Sequence, residues 1–216
     1  MADWYGVADR DVYSERFLAE RDALADAAYR GDWHAVLTAV DATPELANSR
    51  RVGGRSGWTP LHQAAFHGAP VAVAEQLLAA GAWRTIRAVD GERPVDIATR
   101  LGHHQLVPLL RPAPRHEVAD GDLRAMEHFL HALIRVRTES MGITARLLPP
   151  QVSVLGELPD ARLHFAVPGM YGGFTTELKA DQVQLEVRSF CRVAGGSGQT
   201  HRITPEECAL IENGWG

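Results

Sequence analysis

The sequence predicts a two-part chain: an all-α array of repeated helix pairs, then a small α+β domain with one long helix packed on an antiparallel four-stranded meander. Three observations lead there. Two segments align without a gap at an offset of 34 residues, a double-proline break follows at Arg111–Arg115, and the apolar period then changes from three-four to two. The expected parts are a helical lead-in (1–21), three repeats (22–112), a linker (113–119) and the α+β domain (120–216).

Composition fits folded domains of this size. The 216 residues are 45% hydrophobic and 23% charged, close to the averages for globular proteins, so global disorder is excluded. The charge of −5 divides as 13 basic against 14 acidic residues up to Arg115 and 9 against 13 beyond it. Neither half has the basic excess that nucleic-acid binding requires. No basic leader with an apolar core opens the chain and no run reaches a membrane span, so the expectation is a cytoplasmic protein without a membrane partner. Lys179 is the only lysine and alanine is abundant, a bias that accompanies GC-rich coding and suggests a bacterial source. Cys191 and Cys208 have no metal-knot spacing, so no metal or other cofactor is expected.

The repeat is carried by "GWTPLHQAAFHGAP" and "GERPVDIATRLGHH", which match Gly57 to Gly91, Pro60 to Pro94, Ala64 to Ala98 and Gly68 to Gly102. Each copy reads as a turn, a short helix opened by proline, a glycine break and a second helix ending "EQLLAAGA" or "LVPLL". A degenerate earlier copy places Ala28, Gly31 and Val36 where Ala65, Gly68 and Val73 stand. One helix pair cannot bury both of its apolar faces, so the pairs must stack.

"TPLHQAA", with "GA" following "LL", resembles the ankyrin repeat. The resemblance implies structural roles for Thr59 and His62, and caution over His67, His103 and His104. In the third copy Arg93 and Asp96 replace Thr and His, which leaves its turn geometry open. It also implies a concave surface of loop tips and inner helices that docks a protein partner, with Arg55, Trp58, Trp83, Arg87 and Asp90 at the tips. Tryptophan beside arginine is hot-spot chemistry, although Trp83 could equally pack inside the protein.

Past the linker, "DLRAMEHFLHALIRVRTESMG" carries Leu123, Met126, Phe129, Leu130, Leu133 and Ile134 on one helix face, with Asp122 as the expected cap and Gly142 as the stop. "RLHFAV", "GFTTEL", "QVQLEVRSFCRV" and "QTHRIT" read as strands joined by hairpin-length turns. Cystatin-like and nuclear-transport-factor-like folds both combine such a helix and meander, and both stay open. "VPGMYGGF" followed by "RVAGGSGQTHRIT" also resembles a C-terminal module of bacterial ankyrin proteins, which implies the two-part layout and no activity.

An enzyme is the second reading: an isomerase, lyase or hydrolase working in a polar pocket of the C-terminal domain on a small-molecule ligand. Its catalytic candidates are His201, Tyr171, Glu186, Arg188 and Arg192. Strand alternation puts Val183, Leu185, Val187, Ser189, Cys191 and Val193 on an apolar face, and Glu186, Arg188 and Arg192 on a face that is either solvated or lines a cavity. His201 alternates with Ile203, which points to burial, whereas a one-residue register slip would set it opposite Arg192 on the polar face; as a general base it would need Glu186 or Glu177 to orient it. The glycines of "GGSG" read as a hairpin turn, because no helix follows to complete a phosphate cradle. Glu127 and His131, four apart on one helix face, have no evident third metal ligand, and with His128 they read as solvated helix surface.

Overall fold

The computed structural model describes residues 1–192 and 197–214. They form two compact units, one spanning Asp9–Ala113 and the other combining Met1–Ala8 with the chain from Pro114 onward. No helix among the described residues is long and apolar enough to cross a membrane.

The helical unit stacks three helix pairs: α1 (Glu15–Arg30) with α2 (Trp33–Ala42), α3 (Pro60–His67) with α4 (Val71–Ala79), and α5 (Pro94–Leu101) with the single turn α6 (Val107–Leu110). Local chemistry sets the ends. Ser14 Oγ accepts the Phe17 amide, Asp32 accepts the Ala35 amide, and proline opens α3 and α5. Gly31, Gly68 and Gly102 end α1, α3 and α5 at φ of 72°, 60° and 76°, a left-handed conformation that glycine adopts without penalty. Ala28, Ala64, Ala65 and Ala98 are buried where these helices cross, and their small side chains let the backbones approach until Leu61, Leu77 and Ile97 fill the space between.

The other unit is a sheet of six strands in sequential order: β1 (Ala2–Asp3), β2 (Arg162–Val167), β3 (Gly172–Lys179), β4 (Gln184–Cys191), β5 (Ser197–Ile203) and β6 (Cys208–Asn213). Strands β2 to β6 form an antiparallel meander, and β1 joins β2 in parallel. The expectation of four strands is therefore corrected to six. The chain's first residues, expected in a helical lead-in, instead add an edge strand: Ala2 pairs with Leu163, and the Trp4 amide donates to the His164 carbonyl at 2.7 Å. Trp4 is buried, and its indole donates to the Leu148 carbonyl at 2.7 Å.

The long helix α7 (Asp120–Thr138) lies on β4, β5 and β6. It starts two residues before the expected cap, with Asp120 and Asp122 in its first turn, where carboxylates complement the helix dipole. Leu123, Met126, Leu130, Leu133 and Ile134 are buried beneath it. Glu127 and His131, expected to be solvated, instead hold the following segment to the helix. The Glu127 carboxylate accepts the Val152 amide at 2.8 Å, and His131 Nε2 donates to the Pro150 carbonyl at 2.9 Å.

The inner sheet face carries Leu163, Phe165, Phe174, Leu178, Leu185, Val187 and Ile203, all buried. Val183 departs from its expected place there. It sits at φ 48° in the turn before β4, so the alternation begins at Gln184. Val193 and the glycines Gly195 and Gly196 of the expected hairpin turn lie outside the described residues; on either side of them β4 and β5 pair antiparallel, with Cys191 opposite Ser197.

Trp4 anchors a strand of only two residues, so Trp4→Ala should cost about 3–5 kcal/mol, the usual range for truncating a buried aromatic. Hydrogen exchange should show the loss at the β2 and β3 amides; protection equal to the parent protein would contradict this role for the N-terminal residues.

Candidate functional site

In the helical unit, the start of α3 is tied to the loop of the next pair through His62, which is fully buried. The Thr59 amide donates to His62 Nδ1 at 3.2 Å, so that nitrogen carries the lone pair. Nε2 therefore bears the hydrogen and donates to the Glu92 carbonyl at 3.3 Å. The Thr59 hydroxyl lies 2.8 Å from the same Nδ1. Burial lowers the imidazole pKa to about 4; the bond to Glu92 opposes the shift and the Arg50 charge adds to it.

The next copy solves the turn with different chemistry. Asp96 accepts the Arg93 amide at 2.9 Å and the Arg93 guanidinium at 3.0 Å. Burial opposes ionisation of Asp96, but the bonds from Arg93 outweigh it and hold the carboxyl below its ordinary range. Two further histidines link successive pairs. His67 Nε2 reaches the Tyr29 carbonyl at 3.0 Å, and His103 Nε2 reaches that of Phe66 at 3.2 Å.

The five tip residues read from the sequence differ in their surroundings. Arg55 and Asp90 are exposed, with Asp90 Oδ1 accepting the Glu92 amide at 3.1 Å in the tight turn that Gly91 closes. Trp83 and Arg87 are half-buried, and the Trp83 amide is held by Asn48 Oδ1 at 2.8 Å. Trp58 is half-buried, stacked on His62 and tilted against Phe66 at 5.2 Å between ring centroids.

Trp58 begins a row that the sequence reading missed. Phe66 meets His67 at 5.4 Å, and His67 meets Trp33 at 5.8 Å, so four rings run in contact from Trp58 to Trp33. Phe66 is 43% exposed, and Tyr29, the residue whose carbonyl holds His67, is 72% exposed. The available signal was the repeat itself: Tyr29 and Phe66 each follow the aligned alanines Ala28 and Ala65, on the outward side of helices whose inward side is buried.

In the sheet unit the catalytic candidates are dispersed. Glu186 and Arg188 lie on the face opposite α7 and pair with each other at 2.8 Å, the Arg188 side chain being 68% exposed. Arg192 stacks over Phe190, which itself stacks on His164. Tyr171 is 76% exposed in the β2–β3 turn at φ 49°. Glu177 is bonded by Arg162 and Lys179. Burial opposes ionisation of Glu177, and these two cations nevertheless keep its pKa low.

His201 is on the inner face with Ile203. It lies between Val187 on β4 and Leu210 on β6, and no carboxylate among the described residues hydrogen-bonds it. Burial, then the charge of Arg137, lower its pKa. Arg137 was not among the sequence candidates, although it continues the buried stripe of α7 seven residues beyond Leu130. No group of three or more potential metal ligands converges among the described residues.

Comparison with known proteins adds one finding: residues 56–88 match the ankyrin-repeat family model. This stretch holds Thr59, His62 and the whole of α3 and α4. No curated protein matches the chain.

The His62 linkage has a definite sign. An unfolded imidazole titrates near 6.5 and the folded one near 4, so the unfolded chain takes up the proton first as pH falls. The neutral imidazole's contribution is complete above about pH 6.5 and declines as the pH falls through the folded value, by about 3 kcal/mol in all. Unfolding titrations of parent and His62→Gln proteins should differ by this extra acid dependence; parallel curves would exclude it.

Proposed function

We propose that the helical unit is a protein-docking module, in which the flanking pairs α1/α2 and α5/α6 are further repeats stacked on the single one that residues 56–88 match. The observation that carries this reading is the row of rings Trp58, Phe66, His67 and Trp33 with exposed Tyr29 beside it. Half-exposed aromatic rings on a rigid helical stack bury large area with little loss of conformational freedom, the character of binding hot spots. Arg55, Trp83, Arg87 and Asp90 extend the surface at the loop tips. Arg100, the aligned counterpart of Phe66, is held by Glu92 at 2.7 Å and adds a fixed charge next to the aromatic positions.

The docking partner is a protein. The charge balance of the chain offers no phosphate-binding field, and aromatic contact area of this kind matches the buried centre of a protein interface. The sheet unit supplies a second surface.

Tyr29 and Phe66 project outward, so replacing both with serine should leave the folded helical unit intact while removing the anchor. Each hot-spot truncation is expected to cost about 2 kcal/mol, roughly thirtyfold in Kd. Affinity capture with parent and doubly substituted protein, followed by titration of the captured partner, reads this directly. Equal affinity of a folded Tyr29→Ser, Phe66→Ser variant would remove the proposed surface.

A further inference from the structure

The end of α7 places a cation over a polar part of the inner sheet face. Leu123, Met126, Leu130 and Leu133 form the buried stripe of the helix, and the next position in that spacing is Arg137. Its guanidinium donates to Ser197 Oγ at 3.0 Å, while its buried Nε has no hydrogen-bond partner among the described residues. Ser197 and His201 share one face of β5 with Gln199 between them, and Ser189 stands opposite Gln199 on β4.

Two more buried atoms here lack a partner: Ser189 Oγ and His201 Nδ1. Ser189 is 1% exposed and His201 is 8% exposed. Buried polar atoms are almost always bonded to protein or to something bound, so three orphans on facing elements mark a place where a ligand completes the structure.

The surrounding groups define its charge. Val187 and Leu210 flank His201, and Phe174 and Gln199 flank Ser189. Glu212 is engaged by Thr200, and Arg192 is stacked on Phe190. No carboxylate pairs with Arg137 among the described residues, and burial followed by the Arg137 charge lowers the pKa of the nearby imidazole. One positive charge therefore faces hydroxyl and imidazole groups. We propose that this end of the helix-covered face binds a small monocarboxylate, gripped by the planar guanidinium of Arg137 and completed by Ser189 and His201. A guanidinium matches the two oxygens of a carboxylate, and a doubly charged phosphate would bring a second charge with nothing to balance it.

The site is independent of the docking surface and is tested on the full chain with propionate as the probe. Sodium propionate should shift the His201 ring resonances saturably, and sodium chloride at equal ionic strength should not. Arg137→Gln should weaken the response by about tenfold or more. Ser189→Ala, which only deletes an unpartnered hydroxyl, serves where Arg137→Gln fails to fold, and should weaken it by about threefold. A parent protein without a saturable response overturns the proposal and leaves water as the occupant, and so does unchanged propionate affinity in a folded variant.

Discussion

A neutral imidazole sealed between two helix pairs is the interaction on which the helical unit depends. His62 uses both ring nitrogens, one toward the backbone amide and hydroxyl of Thr59 and the other toward the carbonyl of Glu92, thirty residues on. The first bond sets the entry to α3, and the second fixes the loop that leads into α5. Hydrophobic contact among Leu61, Leu77, Ile97 and the alanines at the crossing is non-directional. A directional bond in a dry environment supplies the register, and its strength there comes with the requirement that the ring stay uncharged.

The same requirement explains why the segment that aligns with Gly57–Pro70 at an offset of 34 residues can abandon histidine. Asp96 caps its own helix start through Arg93, and both side chains keep contact with solvent, so a charge is tolerable there. What it gives up is the reach into a following loop. His67 and His103 supply the remaining links by bonding carbonyls of the preceding pair, and close packing constrains them: a Cβ at Gly68 would lie 2.5 Å from the His103 ring. Glycine at this position thus serves both the left-handed helix end and the approach of the next histidine.

The helix starts, glycine stops and four central strands were legible because each is encoded within a few residues: Pro60 and Pro94, Gly68 and Gly102, and the alternation of Leu185, Val187 and Ser189. What was hidden depends on distant backbone. Glu127 and His131 read as solvent-facing because their partners, the Val152 amide and Pro150 carbonyl, leave no mark on side-chain pattern. Strand β1 has two residues, too few to show any period. His201 was placed on the correct face by its alternation with Ile203, yet the charge beside it comes from another element, Arg137, which an apolar-face reading of α7 passes over because the residue type breaks the stripe.

The sheet unit also carries a constraint that no local pattern expresses, since its chain departs at Ala8 and resumes at Pro114. Pairing Ala2 with Leu163 closes a loop of about 160 residues, which for a flexible chain costs about 4–5 kcal/mol. Burying an indole of roughly 200 Å² contributes about 5 kcal/mol, so Trp4 and closure nearly cancel while the intervening chain is unfolded. Once residues 9–113 have stacked into a rigid body, the flexible part shortens to about 55 residues and closure becomes easier by about 1 kcal/mol. That margin favours an order of events in which the helix pairs stack first and the N-terminal strand docks last.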